Sequence, residues 1–243
     1  MEVVNKLLNY DNLNIIQNTD WFSLSIDSVL LINFIKIKKN DKKIIDLCTG
    51  NAPIPMMLLK KYNEKELEIT GVELQKEIYK LAKKSLKINK MDNEINLLNM
   101  DIKNLYSIYD SDTFDIITCN PPYFKVLTKK AILTDNQIKS VARHELKITL
   151  NDIFSISKKL LKNNGSIYMV HRTDRFMDVI KYMKKNNIEP KTIQFVYPKI
   201  NSNSNIFLIE GRKNGNSGLK ILEPLFVHDN NGNYFENIKK MFE

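Results

Sequence analysis

Two consecutive prolines stand one residue after an apolar run and limit what the chain can fold into. The run at 114–119 predicts a short buried strand, and Asn120, Pro121, Pro122 and Tyr123 follow it at once. Neither proline can donate a backbone N–H, so the strand must end there and present Asn120 at its carboxyl end. In open α/β sheets, ligands bind at that edge. An amide oxygen, a backbone carbonyl and an aromatic ring placed there can hold a planar amino group.

Strands and helices alternate along the rest of the chain. Together with 114–119, we predict strands at 43–48, 67–73, 95–98, 166–170, 192–197 and 205–210. Apolar spacing predicts helices around 25–35, 56–59, 75–89, 150–161 and 175–186. This order favours an α/β fold with a seven-stranded, mostly parallel sheet, helices on both faces and a C-terminal antiparallel hairpin. We expect a single domain over 1–243, with a covering segment at 1–40, a core at 41–213 and an extension at 214–243.

The composition is basic, with 37 Lys and Arg against 28 Asp and Glu and a formal charge of +9. Such a surface suits nucleic acid, although the wealth of Lys, Asn and Ile is equally typical of an AT-rich genome. No apolar stretch is long enough for a bilayer, and the N-terminus lacks a secretory pattern. Cys48 and Cys119 indicate reduced thiols and a cytoplasmic location. His171 and His228 show no metal-ligand spacing, so we expect no metal.

Three acidic residues end or follow successive predicted strands. Asp46 precedes the turn around Gly50, Glu73 ends the second strand, and Asp101 follows the third. An acid in the position of Glu73 can accept both hydroxyls of a ribose, and Asp101 can bind an adenine amino group. The turn lacks the glycine pattern of a phosphate-binding loop. A ligand with ribose and adenine but no phosphate fits better, and S-adenosylmethionine is such a ligand.

The motifs together resemble those of the class I methyltransferases. The stretch 46–51, Asp-Leu-Cys-Thr-Gly-Asn, is similar to the first motif of that family, and 120–123 is similar to its amino-methylating motif. The resemblance implies a Rossmann-like fold, S-adenosylmethionine as cofactor, and cofactor contacts from Asp27, Asp46, Cys48, Thr49, Gly50, Asn51, Glu73, Leu74, Asp101, Ile102 and Asn120. Many relatives carry a second glycine where this chain has Asn51-Ala52; asparagine tolerates positive φ, so we expect no loss of binding. Asp27 is open to a second interpretation, as a helix cap.

Three further segments, 22–31, 142–145 and 218–227, resemble the tRNA adenine-N6 methyltransferases that modify position 37 of valine tRNA. The resemblance implies methylation of an anticodon-loop adenine, with tRNA as partner and no obligate protein partner. Methylation of an rRNA guanine N2 or a protein glutamine uses the same motif and stays open. About forty residues precede the first strand, too few for the helical domain of the glutamine enzymes. DNA methylation and simple RNA binding are weaker alternatives.

For the chemistry, we expect Asn120 Oδ1 and the Pro121 carbonyl to accept the two hydrogens of the amine. Tyr123 would stack on the base, and Phe124 would close its other side. Basic residues that follow the motif or lie near the last strands are candidates for phosphate contacts, although a solvated surface role is equally ordinary for each: Lys125, Lys129, Lys130, Arg143, Lys199, Arg212 and Lys213. Arg143 is favoured because a guanidinium grips phosphate with two hydrogen bonds. We expect His144 and Glu145 to hold their segment in place.

Overall fold

The computed structural model describes residues 1–7, 13–18, 26–122 and 148–242. Its strands are β1 Glu2–Lys6, β2 Asn14–Asn18, β3 Lys43–Leu47, β4 Glu68–Glu73, β5 Ile95–Asn99, β6 Phe114–Cys119, β7 Leu161–Arg172, β8 Ile188–Lys199, β9 Ile206–Lys213, β10 Lys220–Ile221 and β11 Leu225–His228. Its α-helices are α1 Asp27–Phe34, α2 Pro53–Lys61, α3 Lys76–Ile88, α4 Leu150–Leu160, α5 Phe176–Lys185 and α6 Glu236–Lys239. Short 3-10 helices lie at Ile102–Ser107 and Thr173–Arg175.

The main sheet confirms the predicted architecture. The strands run in the order β10, β8, β9, β7, β6, β3, β4, β5. β3, β4, β5, β6 and β7 pair in parallel, whereas β9 is antiparallel to both β7 and β8 and so forms the C-terminal hairpin. All seven predicted strands are present. The short strands β10 and β11 extend the sheet to nine within the described residues, because both pair with the outer edge of β8.

Helices cover both faces of the sheet, as predicted. Adjacent residues of a strand point to opposite faces, and Ile44 and Ile45 of β3 accordingly belong to different buried clusters. The cluster of Ile44 includes residues of α1, α2 and α3, and the cluster of Ile45 includes residues of α4 and α5. This two-sided burial explains why the central strands are apolar runs and do not alternate with polar residues. It also leaves the carboxyl ends of the strands as the place for polar side chains.

The N-terminal region contains an element that the sequence did not predict. β1 and β2 form an antiparallel hairpin, and β2 lies against α3. The backbone N–H of Ile16 donates to Ser85 Oγ at 2.9 Å, and Asn89 exchanges bonds with the backbone of Asn14 at 2.9 and 2.7 Å. A two-stranded hairpin is marginal alone, so these bonds to α3 hold it in place. No α-helix within the described ranges is long and apolar enough to cross a bilayer.

Candidate active site

Parallel pairing brings the carboxyl ends of β3, β4, β5 and β6 to one edge of the sheet. Glu73 is buried there, and its carboxylate accepts the backbone N–H of Gly50 at 3.0 Å and of Gln75 at 2.7 Å. Burial raises the pKa of Glu73, and the two N–H bonds oppose that rise. The carboxylate therefore ties the end of β4 to the loop after β3 and holds both in a fixed arrangement.

The loop after β3 turns tightly through three residues with positive φ. These are Cys48 at 60°, Gly50 at 57° and Ala52 at 65°. A Cβ on Gly50 would meet no atom within 4 Å, so that side of the loop is open to a ligand. Positive φ was expected at Asn51 and is found at Ala52, so that expectation was wrong. The Asn51 side chain instead donates to the backbone carbonyl of Ile16 at 2.7 Å.

Asp46 lies beneath this loop with no exposed surface. Thr118 Oγ1 donates to its Oδ1 at 2.6 Å. Among the described residues, Asp46 Oδ2 and the buried Thr49 Oγ1 make no hydrogen bond. Burial raises the pKa of Asp46 to about 7, although the hydroxyl of Thr118 lowers it. The Thr49 hydroxyl is close enough to lower the pKa of Asp46 but makes no hydrogen bond of ordinary geometry with a described residue, which fits a site that a polar ligand completes.

The adenine side of the predicted cradle is less open. Asp101 Oδ1 accepts the backbone N–H of Lys103 at 2.9 Å, so this carboxylate caps the following 3-10 helix. Leu74 lies at the sheet edge, where its carbonyl accepts from Asn99 Nδ2 at 3.1 Å, and Ile102 is buried in the core. Asn99 also donates to the Glu73 carbonyl at 2.8 Å. Asn99 was not among the predicted site residues, although its place at the end of β5 was a usable signal.

Asn120 follows β6 directly, as the two prolines predict. Its side chain is half-buried, and its Nδ2 donates to Ser28 Oγ at 3.2 Å. Ser28 is buried in the first turn of α1, next to Asp27. Asp27 is the first residue of α1 and does not occupy the cap position, which Ile26 holds without a side-chain cap. Ser28 was not among the predicted site residues, although it lies in the segment 22–31.

The predicted substrate residues divide into three groups. Tyr123, Phe124, Lys125, Lys129, Lys130, Arg143, His144 and Glu145 lie outside the described residues. Lys199 ends β8 at the same edge as Asn120 and is exposed. Arg212 is near the carboxyl end of β9, which runs antiparallel to β7, so it lies toward the other edge, and it pairs with Glu210 at 2.9 Å. Lys213 is buried there and bonds Asp112 at 2.7 Å. The antiparallel course of β9 explains both misplacements, and we no longer expect either to bind substrate.

Cysteine and histidine side chains also lie near the carboxyl edge of the sheet. The described residues contain no group of three or more His, Cys, Asp or Glu side chains arranged to hold a metal. Cys48 and Cys119 are free thiols, and burial raises the pKa of Cys119 well above its usual value. Burial lowers the pKa of His171, at the carboxyl end of β7, to about 4. This histidine is therefore neutral at physiological pH.

A groove of about 1160 Å³ opens at the opposite edge of the sheet, beside Lys43, Glu68 and Phe114.

Comparison with known proteins agrees with this geometry. The model of the methyltransferase small domain family matches residues 13–192. Two curated relatives are named tRNA1(Val) (adenine(37)-N6)-methyltransferase. The one from Shewanella woodyi is 25% identical over 168 residues, which cover 68% of this chain and 66% of the relative. The one from Haemophilus influenzae strain PittEE is 28% identical over 172 residues, 71% of each chain. The first of these matches thus spans slightly less than two thirds of the relative's length.

Solved structures resemble the chain in fold. A predicted O-methyltransferase from Agrobacterium tumefaciens superposes with a TM-score of 0.71 at 16% identity, covering 89% of this chain and 95% of the other. Geranyl diphosphate C-methyltransferase from Streptomyces coelicolor, bound to S-adenosyl-L-homocysteine, gives 0.56 at 11% identity and covers 76% of each. These neighbours differ in the atom they methylate, so the fold leaves the substrate to the residues of the site. With the family model matching most of its length, the chain belongs to the methyltransferase small domain family.

Proposed function

We propose that this methyltransferase transfers the methyl group of S-adenosylmethionine to the exocyclic N6 of an adenine in the anticodon loop of tRNA, with position 37 of a valine tRNA as the favoured site. The observation that carries the proposal is the placement of Asn120 and the Pro121 carbonyl at the edge that also holds Glu73 and Asp46. The names of the curated relatives support the same substrate. The cytoplasmic location predicted from the cysteines is consistent with a tRNA substrate.

The residues at the sheet edge fit the polar parts of S-adenosylmethionine. The Glu73 carboxylate accepts the Gly50 and Gln75 N–H groups through different oxygens, and its further lone pairs suit the ribose hydroxyls. Asp101 uses Oδ1 for its cap, and its Oδ2 faces Lys103 at 3.4 Å, so an adenine amino group would share this carboxylate. The open side of Gly50 admits the ligand close to the backbone. When bound, the cofactor supplies an electrophilic methyl group on sulfur.

The protein's own contribution is to orient the amine and shape its lone pair. The lone pair of an exocyclic adenine nitrogen is delocalised into the ring, which makes it a poor nucleophile. Hydrogen bonds to Asn120 Oδ1 and the Pro121 carbonyl favour tetrahedral geometry at that nitrogen and localise its lone pair. Such positioning lowers the barrier by several kcal/mol. The methylated nitrogen then loses its proton readily, so the reaction needs no strong base.

A tRNA substrate suits the charge of the protein and the chemistry of the site. An anticodon-loop adenine is unpaired and can be turned into a pocket at low cost. The formal charge of +9 attracts a polyanion, and Lys199 lies at the same edge as Asn120. We propose that Lys199 contacts a phosphate, and that Tyr123, Phe124 and the basic residues of 125–143 complete the substrate site.

The decisive experiment is methyl transfer from labelled S-adenosylmethionine to total tRNA, followed by nucleoside analysis. We expect the label in N6-methyladenosine. Asn120→Ala should abolish transfer and leave cofactor affinity nearly unchanged, because its amide acts on the amine. Label in N2-methylguanosine, or in protein after ribonuclease treatment, would reject the adenine proposal and favour the alternative substrates. Full activity of Asn120→Ala would reject the mechanism.

A further inference from the structure

Ser28 contacts the side chain on which the proposed chemistry depends. Its Oγ lies 3.2 Å from Asn120 Nδ2, although the two residues are 92 positions apart in sequence. Ser28 is only 3% exposed, and its neighbours Val29 and Leu30 are buried in the core beside it. The hydroxyl is therefore held in place by the packing of α1 against the sheet.

The two ends of an asparagine amide, the oxygen and the NH₂ group, are similar in shape but have opposite hydrogen-bonding roles. The NH₂ group donates and the oxygen accepts, so a half-turn about the last side-chain torsion exchanges them with little change in packing. The proline after Asn120 restricts its backbone torsions and does not itself decide which end of the amide faces the substrate. Methylation of an amine requires the oxygen, and not the NH₂ group, to face the substrate. Some contact has to select that orientation.

We propose that Ser28 is a positioning residue for the methyl transfer. Its hydroxyl accepts a hydrogen bond from Asn120 Nδ2 and so directs Asn120 Oδ1 toward the amine. The inference rests on the proposed role of Asn120 and deepens it. It also gives α1 a function, because the N-terminal segment of the chain then completes the catalytic end of β6.

The test is steady-state kinetics of Ser28→Ala. We expect kcat to fall about tenfold, since a misplaced reacting group costs rate more than binding. KM for tRNA and the dissociation constant for S-adenosylmethionine should stay within about twofold of the wild-type values. Ser28→Thr keeps the hydroxyl and should restore most of kcat. Ser157→Ala is the matched control, because Ser157 is equally buried and its hydroxyl bonds the Ile153 carbonyl at 2.7 Å within α4.

A second readout does not depend on turnover. The side-chain amide signals of Asn120, assigned by their loss in Asn120→Ala, should move in the NMR spectrum of Ser28→Ala and stay in place in Ser157→Ala. Unchanged kcat in Ser28→Ala, or an equal loss of cofactor affinity, would overturn the role of Ser28. If the wild-type protein instead methylates guanine or glutamine, the same kinetic comparison applies to that substrate, so the two proposals fail separately.

Discussion

Asp46 shows how one buried residue couples stability to pH. Its side chain has no contact with solvent, and one carboxylate oxygen has no hydrogen-bond partner among the described residues. Burial disfavours the charged form and raises its pKa to about 7, against 3.8 for an ordinary aspartate. The folded state therefore binds a proton more tightly than the unfolded state does. The buried charge destabilises the folded state only after that proton has dissociated.

Folding raises the pKa of Asp46, so the protonated carboxyl favours the folded state. This contribution to the free energy of unfolding is fully present below about pH 4 and is lost as the pH rises towards 7. We expect Asp46→Asn to reduce this pH dependence. Relative to wild type, the variant should gain up to about 4 kcal/mol in unfolding free energy between pH 4 and pH 8. Urea unfolding without cofactor, at a series of pH values, measures this. A constant difference between the two proteins would contradict the assignment.

For Glu73, we expect a specific effect of substitution on cofactor affinity. Removing its carboxylate in Glu73→Ala deletes both the proposed ribose contact and the bond to the Gly50 N–H. We expect S-adenosylmethionine affinity to fall at least tenfold, since hydrogen bonds to a charged group contribute about 1.5–3 kcal/mol. Isothermal titration calorimetry measures the affinity. Glu68→Ala is the control, because Glu68 begins the same strand, is exposed and pairs with Lys43 at 3.4 Å; an equal loss there would refute the role of Glu73.

At the scale of elements, the N-terminal hairpin is tied to the first loop of the sheet. Asn51 donates to the Ile16 carbonyl of β2, and Ser85 of α3 accepts from the Ile16 N–H. β2 is therefore bonded on two sides by elements that flank the cofactor edge. This arrangement gives the Asn51 side chain a structural role that requires no direct contact with a ligand.

We expect Asn51→Ala to loosen β2, because a small hairpin depends on such outside contacts. Amide hydrogen exchange of residues 14–18 should accelerate at least several-fold, corresponding to the loss of about 1 kcal/mol. Asn163→Ala removes an exposed contact with Asn214 and should leave this exchange unchanged. If exchange at 14–18 is the same in both variants, the tie from Asn51 does not hold the hairpin.

At the scale of the whole molecule, the packing of α5 against the sheet makes stability sensitive to substitution. Gly211 of β9 lies under α5, and a Cβ there would approach Ile188 Cγ2 to 2.6 Å and would overlap Met183 as well. The sheet and α5 leave no room for a methyl group. Stability and cofactor binding should therefore separate at this position, since Gly211 pairs with Ile167 of β7 and lies two strands away from β6.

Gly211→Ala should destabilise the protein by about 1–3 kcal/mol, the range for overpacked cores. A fall of about 2–4 °C in Tm per kcal/mol is expected for a chain of this size. Cofactor affinity of the folded protein at low temperature should match wild type. A change in affinity without a change in Tm would contradict this separation.

Local patterns predicted most of the sheet correctly. Apolar runs bounded by turn residues located the central strands, and the two prolines after β6 placed Asn120 at its end. The same local logic failed at β1, β2, β10 and β11, because strands of five residues or fewer carry little periodicity and form by pairing with another strand. The division into domains stays a prediction.

The sequence by itself therefore determined the α/β architecture and the residue types at the carboxyl edge, because periodicity and proline act over a few residues. Only the tertiary structure decided which side chains meet. Ser28 reaches Asn120, Asn51 turns to Ile16, and Arg212 lies toward the far edge because β9 runs antiparallel. Such contacts depend on helix packing and strand direction, and the local spacing of residues in the sequence does not specify either of them.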